Sequence, residues 1–174
     1  MTRDDAAASV LHKKVCLLGA FGVGKTSLVR RFVQSIFDDH YHTTIGVKVD
    51  KKVIQVGDQI VTLVLWDMAG KSASQSIRTS YLSGSSGHLL VADGTRLATV
   101  DEALNIAETA TRVGEKVPMV LLLNKCDLIK EWEIGPEREQ RLVDEGWIAM
   151  RTSAKTGEAV ELAFNTLGKK MLEP

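Results

Sequence analysis

Apolar and polar positions change period several times along the chain. Val15-Cys16-Leu17-Leu18 is an unbroken apolar run, as a strand buried on both faces requires, whereas Ser27-Leu28-Val29-Arg30-Arg31-Phe32-Val33 carries its apolar residues at helical spacing. A polar loop rich in His and Asp follows, about residues 34–44. Val47 to Val56 then alternates in part, Gly57-Asp58 is a turn signal, and Ile60 to Trp66 reads as the returning strand, which together predict an antiparallel hairpin. His88 to Asp93 and Val117 to Leu123 predict two parallel strands buried on both faces. Between them, Ala103, Leu104 and Ala107 mark one face of a helix over Asp101 to Ala110. Pro136 to Glu145 predicts another helix, Trp147 to Met150 a last strand, and Glu158 to Leu172 a closing helix. Strands alternating with helices in this order predict an α/β open sheet, mostly parallel with one antiparallel edge strand.

A length of 174 residues suits one domain with a real core, and the 44% apolar and 25% charged content is that of a globular chain. Lys+Arg and Asp+Glu both number 22, so net charge points to neither nucleic acid nor a membrane surface. Cys16 and Cys126 are far apart without a metal-binding spacing and read as reduced thiols. The start, Met1 to Asp5, is polar and acidic rather than a signal peptide, and no apolar run approaches the roughly 20 residues of a bilayer span. Thr2 excludes N-myristoylation, and the C-terminal Leu172-Glu173-Pro174 holds no prenylatable cysteine. The expectation is a soluble cytoplasmic protein, with a flexible leader over 1–12 and one domain over 13–174, lacking a lipid anchor or transmembrane segment.

The candidate chemistry begins where the first strand meets the first helix. Gly19-Ala20-Phe21-Gly22-Val23-Gly24-Lys25-Thr26 fits the phosphate-binding pattern G-x-x-x-x-G-K-[ST] in the strand–turn–helix context that pattern needs. A glycine-rich turn there wraps backbone N–H groups around a diphosphate at the positive end of a helix. Lys25 would reach the outer phosphates and the Thr26 hydroxyl would ligate Mg²⁺. Asp67-Met68-Ala69-Gly70 ends the returning hairpin strand; its carboxylate can hold Mg²⁺ through the ion's water shell, and Gly70 lets an N–H approach the γ-phosphate. Alone, D-x-x-G is weak, since both residues are common in turns. Asn124-Lys125-Cys126-Asp127, at a strand's carboxyl end, is specific: the Asp127 carboxylate accepts two hydrogen bonds, matching guanine's ring N–H and exocyclic amine, a donor pair adenine lacks. The stem of Lys125 can lie on the base's face. Thr152-Ser153-Ala154-Lys155 can close over the guanine carbonyl with a backbone N–H, or can be only a turn capping the last helix.

Taken together, Gly19 to Thr26, Thr43 to Gly46, Trp66 to Gly70, Asn124 to Asp127 and Ser153 to Lys155 resemble the small Ras-like GTPases, and within them the Rab-like branch, over essentially the whole length. The resemblance implies a P-loop G domain with six strands and five helices, Mg²⁺-dependent binding of GTP and GDP, and two loops that change shape with the γ-phosphate. It implies nucleotide contacts from Phe21, Gly22, Val23, Gly24, Lys25, Thr26 and Ser27, and from Phe37, packed edge-on against guanine, or merely anchoring the loop. It further implies contacts from Tyr41 covering the phosphates, and from Thr44, Gly70, Asn124, Lys125, Asp127, Ser153, Ala154 and Lys155. The implied metal set is Thr26, Thr44 and Asp67, and the implied catalytic positions are Lys25, Thr44, Gly70 and Lys71. The second switch would span Lys71 to Tyr81. Effectors, an exchange factor and an activating protein would meet both switches at Ile45, Gly46, Val47 and Trp66.

Two departures touch catalysis. Where the family usually has glutamine after the D-x-x-G glycine, this chain has Lys71, whose donors cannot accept a proton from an attacking water. Gln75 or His42 are the alternatives for orienting that water. Phe21 stands where relatives have glycine or a small residue; it either crowds the γ-phosphate or points outward onto the second switch, and both readings stay open. The expectation is a slow GTPase that rests in its GTP state. The ending without a lipidated cysteine favours a lipid-free relative of the kind found in bacteria over a truncated chain.

Two other classes compete: a pseudo-GTPase held in its GTP state as an interaction module, and a metabolic P-loop kinase or ATPase, against which Asn124 to Asp127 argues. His40 and His42 read as exposed loop residues, with pH-sensitive partner binding as the alternative. Trp132 reads as a ring folded onto a neighbouring helix or an exposed interaction anchor. Cys126 reads as a small packing residue, and Lys13-Lys14 as a solvated strand start.

Overall fold

A computed structural model describes residues 10–40, 42–70 and 79–174 of the chain. Strands β1 (Leu11–Gly19), β2 (Val47–Val56), β3 (Gln59–Met68), β4 (Gly87–Asp93), β5 (Met119–Asn124) and β6 (Ala149–Thr152) form one sheet in the order β2-β3-β1-β4-β5-β6. Every neighbouring pair is parallel except β2–β3, which places the antiparallel strand at one edge. Helices α1 (Lys25–Gln34), α2 (Thr79–Leu82), α3 (Ala98–Val113), α4 (Pro136–Asp144) and α5 (Val160–Lys170) make five among the described residues, with a 3-10 turn at Ile129–Glu131. No helix among those residues is long and apolar enough to cross a membrane.

The apolar run of β1 is explained by its central place. Val15 and Leu17 face α1 and α5, packing with Leu28, Phe32, Phe164 and Leu167, and the Phe32 and Phe164 rings stack with centroids 3.9 Å apart. Cys16 and Leu18 point the other way, against Val100, Ala103 and Ala107 of α3 and Leu142 of α4. The chain leaves β1 toward β3 on one side and reaches β4 on the other, so the carboxyl end of β1 is a switch point where the flanking loops diverge and a ligand can enter.

β1 begins earlier than its apolar run. Residues 11–14 pair only with β3, because β4 joins at Val15, and that half-open edge suits polar side chains. Lys13 and Lys14 are therefore half-buried inside the strand rather than a solvated start. Lys14 donates to the Ser83 carbonyl at 2.8 Å, and its ammonium lies 3.8 Å from the centroid of the half-buried Trp66 ring. Trp147 precedes β6, its N–H bonded to the Leu142 carbonyl at 3.0 Å, and the strand instead runs on to Thr152.

His88 sits in β4 at 1% exposure, and neither ring nitrogen has a hydrogen-bond partner among the described residues. Burial, with a smaller push from the Lys14 charge, lowers its pKa to about 4. The unfolded chain takes up a proton near 6.5 that the folded chain refuses. Stability from this residue is thus full above about pH 6.5 and falls as pH drops toward 4, by about 2 kcal/mol at about pH 5. His88→Leu should lack that loss. Urea unfolding at neutral and mildly acid pH checks this, and an equal decline in both proteins would refute it.

Candidate functional site

β1 ends at Gly19, and the turn to α1 closes at Gly24, whose φ of +102° and ψ of 22° are left-handed. Its carbonyls turn outward onto side chains. Lys25 Nζ donates to the carbonyls of Gly19 at 3.0 Å and Ala20 at 2.7 Å; Lys125 Nζ donates to Gly22 at 3.0 Å; Asn124 Nδ2 donates to Val23 at 3.0 Å. Gly24 has no room for a side chain, since a Cβ there would lie 2.3 Å from Asn124 Nδ2. Burial lowers the Lys25 pKa to about 8; the Asp67 charge opposes this and the Arg96 charge adds to it. A lysine so desolvated gains from an anion beside it, as a phosphate-facing group should.

At the mouth of the turn three oxygens gather. Thr26 Oγ1 donates to Asp67 Oδ2 at 2.6 Å and lies 2.7 Å from Thr44 Oγ1, which comes from the loop before β2. Asp67 is 1% exposed, and its Oδ1 has no partner among the described residues. Burial raises its pKa against the lowering effects of the Thr26 bond and the Lys25 charge. A buried carboxylate oxygen without a donor is costly unless something else meets it. Two hydroxyls and one carboxylate are the hard oxygen donors a magnesium ion takes, with water completing its shell, so the residues fit that ion. Beside them Gly70 backs onto the turn so closely that a Cβ would lie 2.5 Å from the Phe21 Cα. The Ala69 N–H donates to Gly46 at 2.9 Å, linking the two loops.

The third corner lies past β5 and β6. Asn124, 1% exposed, accepts on Oδ1 from Thr152 Oγ1 at 3.2 Å and from the Ala154 N–H at 3.3 Å. Asp127 accepts from Ser153 Oγ at 2.6 Å, so Ser153 steadies that carboxylate from a buried position behind it. One cleft of about 300 Å³ joins the three corners; its walls include Phe21, Gly22, Gly24, Lys25, Thr26, Ser27, Phe37, Thr44, Gly70, Asn124, Lys125, Asp127, Ala154 and Lys155. The Val23 side chain is buried in the core, leaving its backbone for the cleft. Tyr41 and Lys71 lie outside the described residues, as does Gln75.

A model of the Ras family matches residues 14–173. This chain is a member of the Ras family. It is 34% identical to human Ras-related protein Rab-8B over 161 residues, 91% of this chain and 78% of that protein. It is also 34% identical to mouse Ras-related protein Rab-4A, covering 91% of this chain and 74% of that one. These matches place it in the Rab-like branch and make it a small GTPase, with the α/β fold its alternating pattern predicts.

Several residues of this GTPase's cleft act through contacts that no motif marks. Arg31 of α1 donates from Nε to the Ala154 carbonyl at 2.7 Å and from Nη2 to that of Lys155, tying the phosphate helix to the base loop. Asp93, 1% exposed, receives the Lys125 ammonium at 2.7 Å and Thr95 Oγ1 at 2.7 Å. Burial alone would raise the Asp93 pKa, yet the bonds from Lys125 and Thr95 hold it below the ordinary carboxylate value. A charged residue ending the buried strand β4, paired directly with Asn124, was the available signal.

Phe21 is 52% exposed on the rim of the cleft. His40 and His42 both meet Asp38, at 3.1 Å each, and the His40 N–H, then His42, lower the Asp38 pKa to about 2. Trp132 folds back over Gly94 and packs against the core that α3 and α4 share, with Nε1 donating to the Ile134 carbonyl at 2.8 Å. Burial and the nearby carboxylates of Glu158 and Asp127 raise the Cys126 thiol to about 11, so it is no nucleophile at neutral pH.

Proposed function

We propose that this GTPase is a guanine-nucleotide switch that binds GTP and GDP with Mg²⁺, hydrolyses GTP slowly and signals to proteins through its two switch loops. The contact chain Thr44–Thr26–Asp67 carries the reading: a loop threonine rests against the phosphate-loop threonine and the buried carboxylate, so this loop's position can depend on what fills the site. Thr26, Thr44 and Asp67 would hold the ion, which when bound supplies positive charge to the outer phosphate oxygens. The outward-tied carbonyls leave the turn's N–H groups for the phosphates, and Lys25 balances the charge that develops on them. Asp127, steadied by Ser153, accepts the two guanine donors, while Asn124 holds base loop and phosphate loop together.

Ile45, 92% exposed beside Gly46, is a branched apolar side chain in water, which supports the reading that a protein covers the first switch. Effectors, an exchange factor and an activating protein are the partners this reading implies, with no role for nucleic acid.

Slow turnover follows from Lys71, whose ammonium can donate but cannot take a proton from water. Lys71→Gln should raise single-turnover hydrolysis of Mg²⁺·GTP by about tenfold or more. Hydrolysis absent from both proteins would favour a GTP-holding interaction module or an obligatory activator. A wild-type rate equal to that of Lys71→Gln would mean that another group places the water.

A further inference from the structure

Three successive peptide planes of the phosphate loop are each gripped by a side chain from elsewhere. Asn124 holds the Val23 carbonyl and Lys125 the Gly22 carbonyl, both from the guanine motif. The third grip belongs to no motif: Arg96, on the turn between β4 and α3, donates from Nη2 to the Phe21 carbonyl at 3.0 Å. Its Nε donates at the same time to the buried Asp93 carboxylate at 3.0 Å. That oxygen of Asp93 also receives the Lys125 ammonium. Asp93 thus fastens two cations that hold two adjacent carbonyls.

In a planar trans peptide the C=O and the following N–H point in opposite directions, and no cis peptide bond occurs among the described residues. Fixing the Phe21 oxygen outward therefore aims the Gly22 N–H the other way. Gly22 has a φ of +71° and no side chain, so its own conformational preference does little to fix this plane. The guanidinium fork suits the task, because one rigid plane meets the carboxylate and the carbonyl together.

We propose that Arg96, braced by Asp93, is a positioning residue that presets the Phe21–Gly22 peptide for a nucleoside diphosphate and so slows its release. The inference rests on the nucleotide-switch reading. The test uses the full chain loaded with a fluorescent GDP analogue, the release rate being followed after excess GDP is added, and affinities for GDP and GMP measured by competition. Arg96→Ala should release GDP about ten- to a hundredfold faster, the loss expected for one charge-assisted hydrogen bond, and weaken GDP by the same factor. GMP, which lacks the β-phosphate, should bind both proteins about equally. Arg96→Lys should resemble Arg96→Ala, because a point charge cannot span Asp93 and the Phe21 carbonyl at once. Release at the wild-type rate from Arg96→Ala would overturn the proposal. So would an equal loss for GMP and GDP, the mark of a merely structural residue, or full rescue by lysine. Failure of the wild type itself to bind GDP would instead overturn the switch reading.

Discussion

Asp127→Ala is expected to remove measurable GTP and GDP binding at concentrations that saturate the wild type, while ATP binds neither protein. The carboxylate would accept two hydrogen bonds from guanine, and bonds to a charged acceptor contribute about 1.5–3 kcal/mol each, so the loss is on the order of a hundredfold to ten-thousandfold. Ser153 now donates to Asp127 at 2.6 Å and would be left facing the gap, which adds to the cost. Folding should be spared, because Asp127 is only half-buried in a loop beyond β5. Equilibrium titration with labelled GTP, GDP and ATP, beside thermal unfolding, measures both sides. ATP binding by the wild type would sink the guanine assignment, since a carboxylate facing adenine finds no donor pair.

Gly24→Ala should be nearly as damaging, by a different route. The backbone there is left-handed at φ +102°, a conformation costing an L side chain about 1–3 kcal/mol. The new methyl would also stand 2.3 Å from Asn124 Nδ2, so Asn124 must leave the Val23 carbonyl. That amide joins the phosphate loop to the base loop, so its displacement disturbs both ends of the site. A fall in nucleotide affinity on the order of a hundredfold is expected, combining strain with one lost hydrogen bond. Gly135→Ala is the matched control, because a Cβ there meets nothing within 4 Å. Similar affinity losses in the two variants would contradict the argument.

The succession of strands and helices along the chain and the three corners of the cleft were legible in the sequence because each rests on local pattern. The apolar runs of β1, β4 and β5 follow from burial on both faces, and the phosphate and guanine motifs sit directly at strand ends. Arg31, Asp93 and Arg96 were not legible as site residues. Arg31 looks like one more charged position on a helix until the fold brings Ala154 and Lys155 against it, 123 and 124 residues away. The early start of β1 was hidden because Lys13 and Lys14 read as solvent-facing, whereas the Lys14 stem and charge are absorbed by Trp66 and Ser83. The stem of Lys125 reads as able to lie on the base's face; what the sequence hides is that its ammonium bridges Asp93 and the phosphate loop, from a backbone at φ +71°. Phe21 occupies the rim of the cleft, and Arg96 engages its carbonyl.

The antiparallel edge strand has a consequence for how copies of this chain meet in crowded solution. β2 is ten residues long and has a neighbour on one side only, so its other side offers backbone donors and acceptors to any passing strand. A second copy docking there antiparallel about a twofold axis at the strand's centre would set the exposed Lys51 of one chain opposite Lys51 of the other. Two ammonium groups facing each other across a strand pair repel, whereas Lys48 and Lys52 are already met by Asp50 and Glu161. The same strand that completes the fold is thereby a poor seed for fibril-like stacking, and Lys51 guards against self-association in a chain whose net charge is zero.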